Sequence, residues 1–456
     1  MRKIAFTLLC FVCFQTACLT PKKTPPLELI FAKAKEKRGK LPLIIVPGVL
    51  GTELINKQTG EKVWFSRSIS KNDTLALPIN PDLSKNTDNL IASDILKKTK
   101  VFRLLPEIGI YEELINAIEK YGGYKIGSWE NPSEHDVSDT FYIFAYDWRQ
   151  DNVQNARLLI RKIEFLKQKL GKENLKFNVL AHSMGGLIVR YAVMYGDKDL
   201  PDRKELLNPD WSGAKHFNKV FLFGTPNKGS MSAFIGLLEG YSVETPVGSI
   251  RFPNLSSDVL FTFPSTFQLM PEPDSVRFYD ENLQPIKVDL YNPETWKTYG
   301  WSALYKTKRR AEKIEFTETA KDYLETVLGR AKLFHEALNV ETYPPLDLTF
   351  FVFGSDCAQT LSGAILRQDA RNGLWQIIYK PKSYKTKEGK QIKRSNIKNL
   401  IFSPGDGRVT RDSLFFALNA RKLAINFNLF CEEHGELVNN KIVQNNFLTS
   451  LILEIL

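Results

Sequence analysis

The stretch "FNVLAHSMGGLIVRYA", residues 177–192, places Ser183 at the boundary between two kinds of sequence. The residues before it form a short apolar run that follows "GKEN", which is typical of a turn leading into a buried strand. After it, apolar side chains recur at helical spacing, at Leu187, Ile188, Tyr191, Ala192 and Tyr195. Ser183 is therefore predicted to lie at a sharp strand-to-helix turn, which lifts a nucleophilic hydroxyl clear of the backbone.

Small residues flank this serine and allow a strand and a helix to pass closely. They are Ala181, Gly185 and Gly186. The usual form of the pattern has glycine where this chain has Ala181. Taken alone, the motif fits a serine that only caps a helix about as well as it fits a nucleophile. Catalytic partners elsewhere in the chain must decide between the two.

Apolar runs separated by helix-period segments predict an α/β fold. The strand-like runs cover 41–48, 140–148, 175–181, 219–226, 346–354 and 422–430. Several are continuous rather than alternating, which indicates a mostly parallel sheet with helices on both faces. The regions at about 52–135 and 227–345 lack this regularity and are predicted to be inserted cap or lid segments. Ligands of such sheets bind at the carboxyl ends of the strands.

The N-terminus predicts export. Arg2 and Lys3 precede an apolar stretch that is too short to span a bilayer, so residues 1–17 are interpreted as a signal peptide. Cys18 follows small residues and resembles the acylated cysteine of bacterial lipoproteins, although Gln15 departs from the aliphatic residue expected there. Residues 18–40 are predicted to be a polar tether, and residues 41–456 the folded domain. The predicted location is the membrane surface, reached through an anchor on Cys18.

Charge and cysteine content narrow the function classes. The formal net charge of +11 fits an anionic membrane surface, which an exported chain meets before any nucleic acid. The densest basic block, at 380–398, is predicted to be a solvated hairpin. Five cysteines in 456 residues exclude a disulfide scaffold. Cys357 and Cys431 each follow an apolar run and could pair or stay unpaired.

A nucleophilic serine needs a general base and an acid that orients the base. Among five histidines, His434 follows the last strand-like run, whereas His182 beside the nucleophile is assigned to packing. Asp406 lies between two glycines in "GDG", a tight turn that can direct a carboxylate into a cleft, although the same letters also describe an ordinary turn. The order Ser183, Asp406, His434 is the one that this topology requires. Asp356 is the reserve candidate for the acid.

An acyl-transfer site also needs donors for the developing oxyanion. One is predicted to be the backbone N–H of Met184, and the other lies in "IIVPGVLGTEL", where Gly48, Val49 and Leu50 follow an early strand. The scattered histidines show no metal-ligand spacing, and no phosphate-binding loop is visible. No metal and no cofactor are therefore expected.

Seven motifs occur together along the chain. In chain order they are "IIVPGVLGTEL", "FAYDWRQD", "NVLAHSMGG", "FLFGTPNKGS", "FPSTFQLMP", "GDGRV" and "EHGEL". Together they resemble the motifs of lecithin:cholesterol acyltransferases and related phospholipases. The resemblance runs from about Leu41 to the C-terminus and implies the α/β-hydrolase fold. It implies Ser183 as nucleophile, Asp406 as orienting acid, His434 as base, and the N–H groups of Val49 and Met184 as oxyanion donors.

Two departures and one structural signature accompany this resemblance. Ala181 replaces the usual glycine, and residues 52–110 contain no cysteines to close the loop that a disulfide closes in the animal enzymes. Asp147 and Arg149 of "YDWR" are expected to brace neighbouring loops.

The function predicted from the sequence is transfer of a fatty acyl group from a phospholipid-type ester, through an acyl-serine, to an alcohol or to water. A plain lipase or phospholipase is the near alternative. A lipid-binding surface lipoprotein without catalysis is the alternative from another class. The predicted partners are a lipid substrate and a membrane surface, without nucleic acid, and the sequence carries no prediction of oligomeric state.

Overall fold

The computed structural model describes residues 24–65, 75–99, 108–202, 204–245, 248–302, 304, 317–369, 371–415 and 424–452. Within these residues a seven-stranded parallel sheet forms the centre of the molecule. Its strands are β1 (Leu43–Val46), β2 (Lys125–Ile126), β3 (Thr140–Ile143), β4 (Phe177–His182), β5 (Phe217–Phe223), β6 (Thr349–Ser355) and β7 (Ala424–Phe430). The order across the sheet is β7-β6-β5-β4-β1-β3-β2. The predicted α/β class with a parallel sheet is confirmed.

The continuous apolar runs follow from burial on both faces of the sheet. All residues of β1 and β4 are buried. Successive side chains point to opposite faces, so Ile44 and Val46 belong to one hydrophobic cluster, whereas Leu43 and Ile45 belong to another. A strand covered on both faces has no polar face to alternate with the apolar one.

Helices cover both faces. The longer ones are α1 (Glu112–Lys120), α2 (Asn152–Lys169), α3 (Met184–Tyr195), α4 (Met231–Glu239), α5 (Glu318–Leu338) and α6 (Lys441–Ile452). Helices α1 and α6 pack together on one face, and α2, α3 and α5 pack on the other. Helix α2 begins where the Asp151 side chain accepts a hydrogen bond from the Val153 N–H, a standard N-cap.

The remaining elements are short and lie in the loops between these strands and helices. The other helices are Leu27–Ile30, Ser257–Phe261, Pro264–Gln268, Pro293–Tyr299, Arg394–Ile401 and Arg411–Leu414. Thr52–Asn56 pairs with Lys62–Trp64 and Leu90–Ile95 in a three-stranded sheet. A four-stranded sheet has the order Pro285–Ile286, Arg277–Tyr279, Gly363–Gln368, Trp375–Ile378. Two-stranded pairs are Lys98–Thr99 with Ile108–Gly109, Ser242–Thr245 with Gly248–Arg251, Ala358–Leu361 with Phe402–Gly405, and Tyr384–Lys385 with Gln391–Ile392.

The structure differs from the sequence expectation at the predicted tether. Residues 24–40 are not free, because Leu27 and Phe31 are buried in the cluster that contains α1 and α6. Lys40 forms an ion pair with Asp139 in the same region. A short apolar helix inside a polar stretch therefore anchors the start of the domain before residue 41. Residues 1–17 and Cys18 lie outside the described residues.

Regular elements, among them α1, α4, α5 and β2, lie in the regions predicted to be irregular. Helix α5 occupies 318–338 of the second region, and strand β2 of the first region joins the edge of the central sheet. The structure pairs Cys357 with Cys431 in a disulfide that joins the ends of β6 and β7, where the Cα atoms are 5.2 Å apart. Within the described ranges, none of the helices is both long and apolar enough to cross a bilayer.

Arg149 braces the loops around it, as expected from the sequence. Its guanidinium is fully buried and forms ion pairs with Asp88 and Asp147 at 2.6 and 2.8 Å. It also donates a hydrogen bond to the carbonyl of Leu75. This one side chain therefore joins the first inserted region to the loop that follows β3.

We expect Arg149→Met to lower the free energy of unfolding by about 3–5 kcal/mol, because it leaves two partly buried carboxylates without their cation. Urea denaturation followed by circular dichroism measures this change. Arg371→Met is the matched control, since the Arg371 side chain is 89% exposed and an ion pair of so exposed a cation adds little to stability. Equal transition midpoints for both variants would contradict the bracing role.

Candidate active site

Ser183 lies at the strand-to-helix turn predicted from the sequence. It directly follows β4 and precedes the first residue of α3, and its φ angle is 54°. A positive φ is unfavourable for a residue with a side chain and is seen where a structure holds a residue in place. Here the Ser183 N–H donates to the carbonyl of Phe223 at 2.7 Å. The end of β5 therefore fixes the turn that presents the hydroxyl.

The small residues around Ser183 are required by close packing. A Cβ atom on Gly186 would lie 1.9 Å from the Thr225 hydroxyl oxygen, and one on Gly185 would lie 2.5 Å from the Pro47 carbonyl oxygen. Ala181 lies within β4, paired with Val46 on one side and Leu222 on the other, and it is fully buried. The strand interior thus accommodates a methyl group where the usual motif has glycine.

The three predicted catalytic side chains form one hydrogen-bonded chain. His434 Nε2 lies 2.9 Å from Ser183 Oγ, and His434 Nδ1 lies 2.8 Å from Asp406 Oδ2. The His434 backbone N–H also donates to the Asp406 carbonyl at 2.9 Å. The structure therefore brings together the serine, histidine and carboxylate in the arrangement that nucleophilic catalysis uses.

The "GDG" turn holds the Asp406 carboxylate in place. Oδ1 accepts hydrogen bonds from the N–H groups of Arg408 and Val409, and Oδ2 is left for His434. Burial alone raises the pKa of Asp406, but the charge of His434 and these hydrogen bonds outweigh it and lower the pKa. Asp406 is thus ionised at neutral pH. The reserve candidate Asp356 is half-exposed, beside Cys357 rather than on His434.

The predicted oxyanion donors lie on two sides of Ser183. Met184 is the first residue of α3, so its N–H belongs to the helix end whose N–H groups have no partners within the helix. Val49 lies in the loop after β1 and lines the same cavity as Ser183. Their role as donors stays a prediction, which these positions suit.

His182 does more than the packing assigned to it from the sequence. The Gly48 N–H donates to the Tyr111 hydroxyl oxygen at 2.8 Å, and that hydroxyl lies 2.8 Å from His182 Nδ1. His182 Nε2 lies 3.2 Å from the His434 carbonyl oxygen. Because the His434 carbonyl can only accept, the ring proton of His182 lies on Nε2, and Nδ1 accepts the proton of the Tyr111 hydroxyl. The chain of bonds thus runs from the predicted oxyanion loop to the backbone of His434.

Burial keeps both the Tyr111 hydroxyl and the His182 ring neutral. It raises the pKa of the Tyr111 hydroxyl, and burial together with the charge of His434 lowers the pKa of His182 to about 3. The rings of His182 and His434 have centroids 5.1 Å apart. A neutral His182 therefore places no second positive charge beside the imidazolium that His434 becomes when it takes a proton.

A mostly apolar cavity of about 400 Å³ opens at Ser183. Aromatic side chains from three parts of the chain form its walls. They are Trp64, Phe65 and Tyr111 of the first inserted region, Trp148 of "YDWR", and Tyr241, Phe252 and Phe263 of the second inserted region. Among the described residues that line it, Arg408 is basic and Glu436 is acidic. The other histidines lie elsewhere: His135 is exposed, and His216 and His335 are buried away from the cavity. The described residues hold no group of three or more His, Cys, Asp or Glu side chains placed to bind a metal ion.

Comparison with known proteins gives the family. The model of the lecithin:cholesterol acyltransferase family matches residues 88–339, which is more than half of the chain. The chain belongs to this family. The matched segment contains Ser183, whereas Asp406 and His434 lie beyond it.

An uncharacterized protein of Saccharomyces cerevisiae, YJR098C, is 22% identical to this member of the lecithin:cholesterol acyltransferase family over 415 residues. The match covers 80% of this chain and 55% of the yeast protein, so the chain spans about half the length of that relative. A chain in the crystal structure of the Tle4–Tli4 complex is similar in fold, with a TM-score of 0.55 and 17% identity over 90% of this chain and 98% of that one. The Bacillus licheniformis lipase BlEst2 in its mature form matches with a TM-score of 0.34 and 10% identity, over 91% and 93% of the two chains. The α/β-hydrolase fold implied by the sequence is confirmed.

We expect Tyr111→Phe to lower kcat by about ten- to a hundredfold while KM changes little, because it leaves the Gly48 N–H and His182 Nδ1 without a partner. Steady-state turnover of a soluble short-chain ester measures both constants. Tyr121→Phe, a half-exposed site at the end of α1, is the matched control.

His182 variants separate positioning from packing. Glutamine can keep an N–H donor near the His434 carbonyl, whereas leucine cannot, so His182→Gln should retain more turnover than His182→Leu at equal melting temperature. Equal losses in both variants, or a change in KM alone, would show that the pair only fills space.

Proposed function

We propose that this protein is a serine-dependent lipid O-acyltransferase and phospholipase, which transfers a fatty acyl group from a phospholipid-type ester to an alcohol or to water. One observation carries the proposal. The hydrogen-bonded chain Asp406–His434–Ser183 ends at the floor of an apolar cavity. An acyl chain fits the apolar walls, and its ester carbonyl can then reach the serine hydroxyl.

The first half of the reaction forms the acyl-enzyme. Ser183 Oγ attacks the ester carbonyl carbon while His434 Nε2 takes the hydroxyl proton, and Asp406 holds the opposite ring nitrogen. The negative charge on the carbonyl oxygen is directed to the N–H groups of Val49 and Met184. The intermediate then breaks its bond to the lysolipid oxygen, which leaves with the proton from His434.

The second half returns the enzyme to its starting state. An alcohol or water gives its proton to His434 Nε2 as its oxygen attacks the acyl carbon, and Ser183 Oγ leaves and recovers the proton. The same base serves either acceptor. Access to the acyl-serine therefore decides between transfer and hydrolysis.

Arg408 supports a phospholipid as the acyl donor. It lines the cavity, follows the "GDG" turn and lies over the Tyr241 ring, with its guanidinium carbon 5.6 Å from the ring centre. A guanidinium matches the geometry of a phosphate group. The family name, lecithin:cholesterol acyltransferase, points to the same class of donor. Export and anchoring through Cys18 belong to this proposal and rest on the N-terminal sequence alone.

We expect an active-site fluorophosphonate to label the wild type and not Ser183→Ala, because Ser183 is the proposed nucleophile. Ser232→Ala, which changes another serine of the same cavity, is the matched control and should label normally. His434→Ala and Asp406→Asn should each reduce turnover by about a thousandfold or more, with Asp356→Asn near wild type. Labelling of Ser183→Ala would refute the assignment, and a wild type that does not label would favour a binding protein.

We expect part of a labelled acyl group to appear in the ester of a lipid alcohol, because the aromatic walls of the cavity exclude bulk water and raise the local concentration of an apolar acceptor. Phospholipid vesicles with a labelled acyl chain are incubated with and without a sterol or a long-chain alcohol. Ser183→Ala gives the background. If the label enters only free fatty acid with every alcohol offered, the protein is a hydrolase.

A further inference from the structure

A basic surface lies apart from the catalytic residues, within residues 371–398. This segment contains nine lysine and arginine residues and one acidic residue, Glu388. All nine basic side chains are exposed: Arg371, Lys380, Lys382, Lys385, Lys387, Lys390, Lys393, Arg394 and Lys398. The whole chain carries a formal net charge of +11, so most of the excess positive charge is concentrated in this one segment. We call these side chains, with Leu374 and Trp375, the basic hairpin surface.

Two apolar side chains, Leu374 and Trp375, lie at the tip of the first hairpin, between Arg371 and Lys380 in the sequence. Leu374 is 51% exposed and Trp375 is 36% exposed. They precede and begin the strand Trp375–Ile378, which pairs with Gly363–Gln368. Tryptophan and leucine next to lysine and arginine are the residues that proteins place at the boundary between lipid head groups and acyl chains.

The folded structure holds this surface in position. The ring of Trp375 packs edge-on against Tyr299, with centroids 4.9 Å apart. In the second hairpin, the Tyr384 hydroxyl donates to the Glu281 carbonyl at 2.8 Å, and the Arg367 guanidinium lies over the Tyr384 ring. The hairpins that form at 363–378 and 384–392 are therefore fixed to the second inserted region.

The surface is connected to the wall of the catalytic cavity. Tyr379 follows the strand Trp375–Ile378, and its hydroxyl donates to the carboxylate of Glu239 at the end of α4. The same helix contributes Ser232, Ala233 and Gly236 to the cavity lining. A lipid surface bound at the hairpins would therefore lie next to an element that borders Ser183.

We propose that the basic hairpin surface docks the protein on an anionic lipid bilayer, with Leu374 and Trp375 inserted at the head-group level. The inference rests on the proposed function, since docking brings the cavity to an insoluble substrate. A bilayer fits better than a nucleic acid because two exposed apolar side chains, Leu374 and Trp375, accompany the basic ones. Lysine and arginine near an anionic membrane each add about fivefold to the affinity.

The test measures binding without turnover. Full-length protein carrying Ser183→Ala and Cys18→Ser, which removes both catalysis and the proposed anchor, is sedimented with vesicles of phosphatidylcholine, or of phosphatidylcholine and phosphatidylglycerol in equal parts. We expect binding to the anionic vesicles that weakens as salt is raised. Lys385→Glu, Lys387→Glu and Lys390→Glu together should weaken it about a hundredfold or more.

Two further variants complete the design. Lys57→Glu, Lys172→Glu and Lys332→Glu make the same charge change at exposed sites outside the surface and should bind nearly as the parent does. Leu374→Ser with Trp375→Ser should weaken binding and keep its salt dependence. The melting temperature, and fluorophosphonate labelling in chains that retain Ser183, check the fold of each variant.

Equal weakening by the two lysine triples would overturn the proposal, because it would show only the effect of net charge. Tighter binding to a DNA duplex than to anionic vesicles would overturn it in favour of nucleic acid. Loss of labelling with intact vesicle binding would contradict the proposed function and leave the docking surface standing, so the two failures are distinguishable.

Discussion

The hydrogen bond from Ser183 to His434 joins two residues that are 251 positions apart, and the rest of the structure serves to make it. A parallel sheet gathers the carboxyl ends of its strands at one edge, so loops from distant parts of the chain meet there. Ser183 ends β4, while Asp406 and His434 lie in loops around β6 and β7. The disulfide between Cys357 and Cys431 joins the ends of β6 and β7 only three residues before His434. The position of the base is thus fixed by the sheet and by a covalent link.

Burial is what makes this bond useful. Asp406 is almost fully buried, yet the charge of His434 and two backbone N–H groups keep it ionised. His182 is also buried, and burial together with the charge of His434 lowers its pKa, so it stays neutral. Two imidazoles with centroids 5.1 Å apart therefore have different roles. His434 can carry a proton, and His182 can only hold the backbone of His434 in place through its one N–H group.

Local patterns predict the sheet, and the structure brings together the three residues, Ser183, Asp406 and His434, that local patterns also single out. Strands buried on two faces give continuous apolar runs. Residues 185 and 186 after Ser183 must be glycine because a side chain at either position would clash with neighbouring atoms. The role of His182 could not be predicted, since it depends on Tyr111, which is 71 positions away and begins a helix in a region without clear periodicity. Helix α5 was missed because a helix packed at the protein surface carries many charges, and these obscure its apolar face among the aromatic residues nearby. The burial of Leu27 and Phe31 was hidden by the lysines and prolines around them.

The sheet and the inserted regions contribute different parts of the candidate site. The hydrogen-bonded chain is built on the sheet, where each residue is held by main-chain contacts that many sequences can supply. The cavity walls come from the two inserted regions, whose aromatic side chains set the shape that a lipid meets. Substitutions in those walls can change the acyl chain or the acceptor without moving Ser183, His434 or Asp406. We therefore expect the residues that select the acyl chain and the acceptor to lie in the inserted regions and at Arg408, which line the cavity, while the sheet holds Ser183, His434 and Asp406 in place.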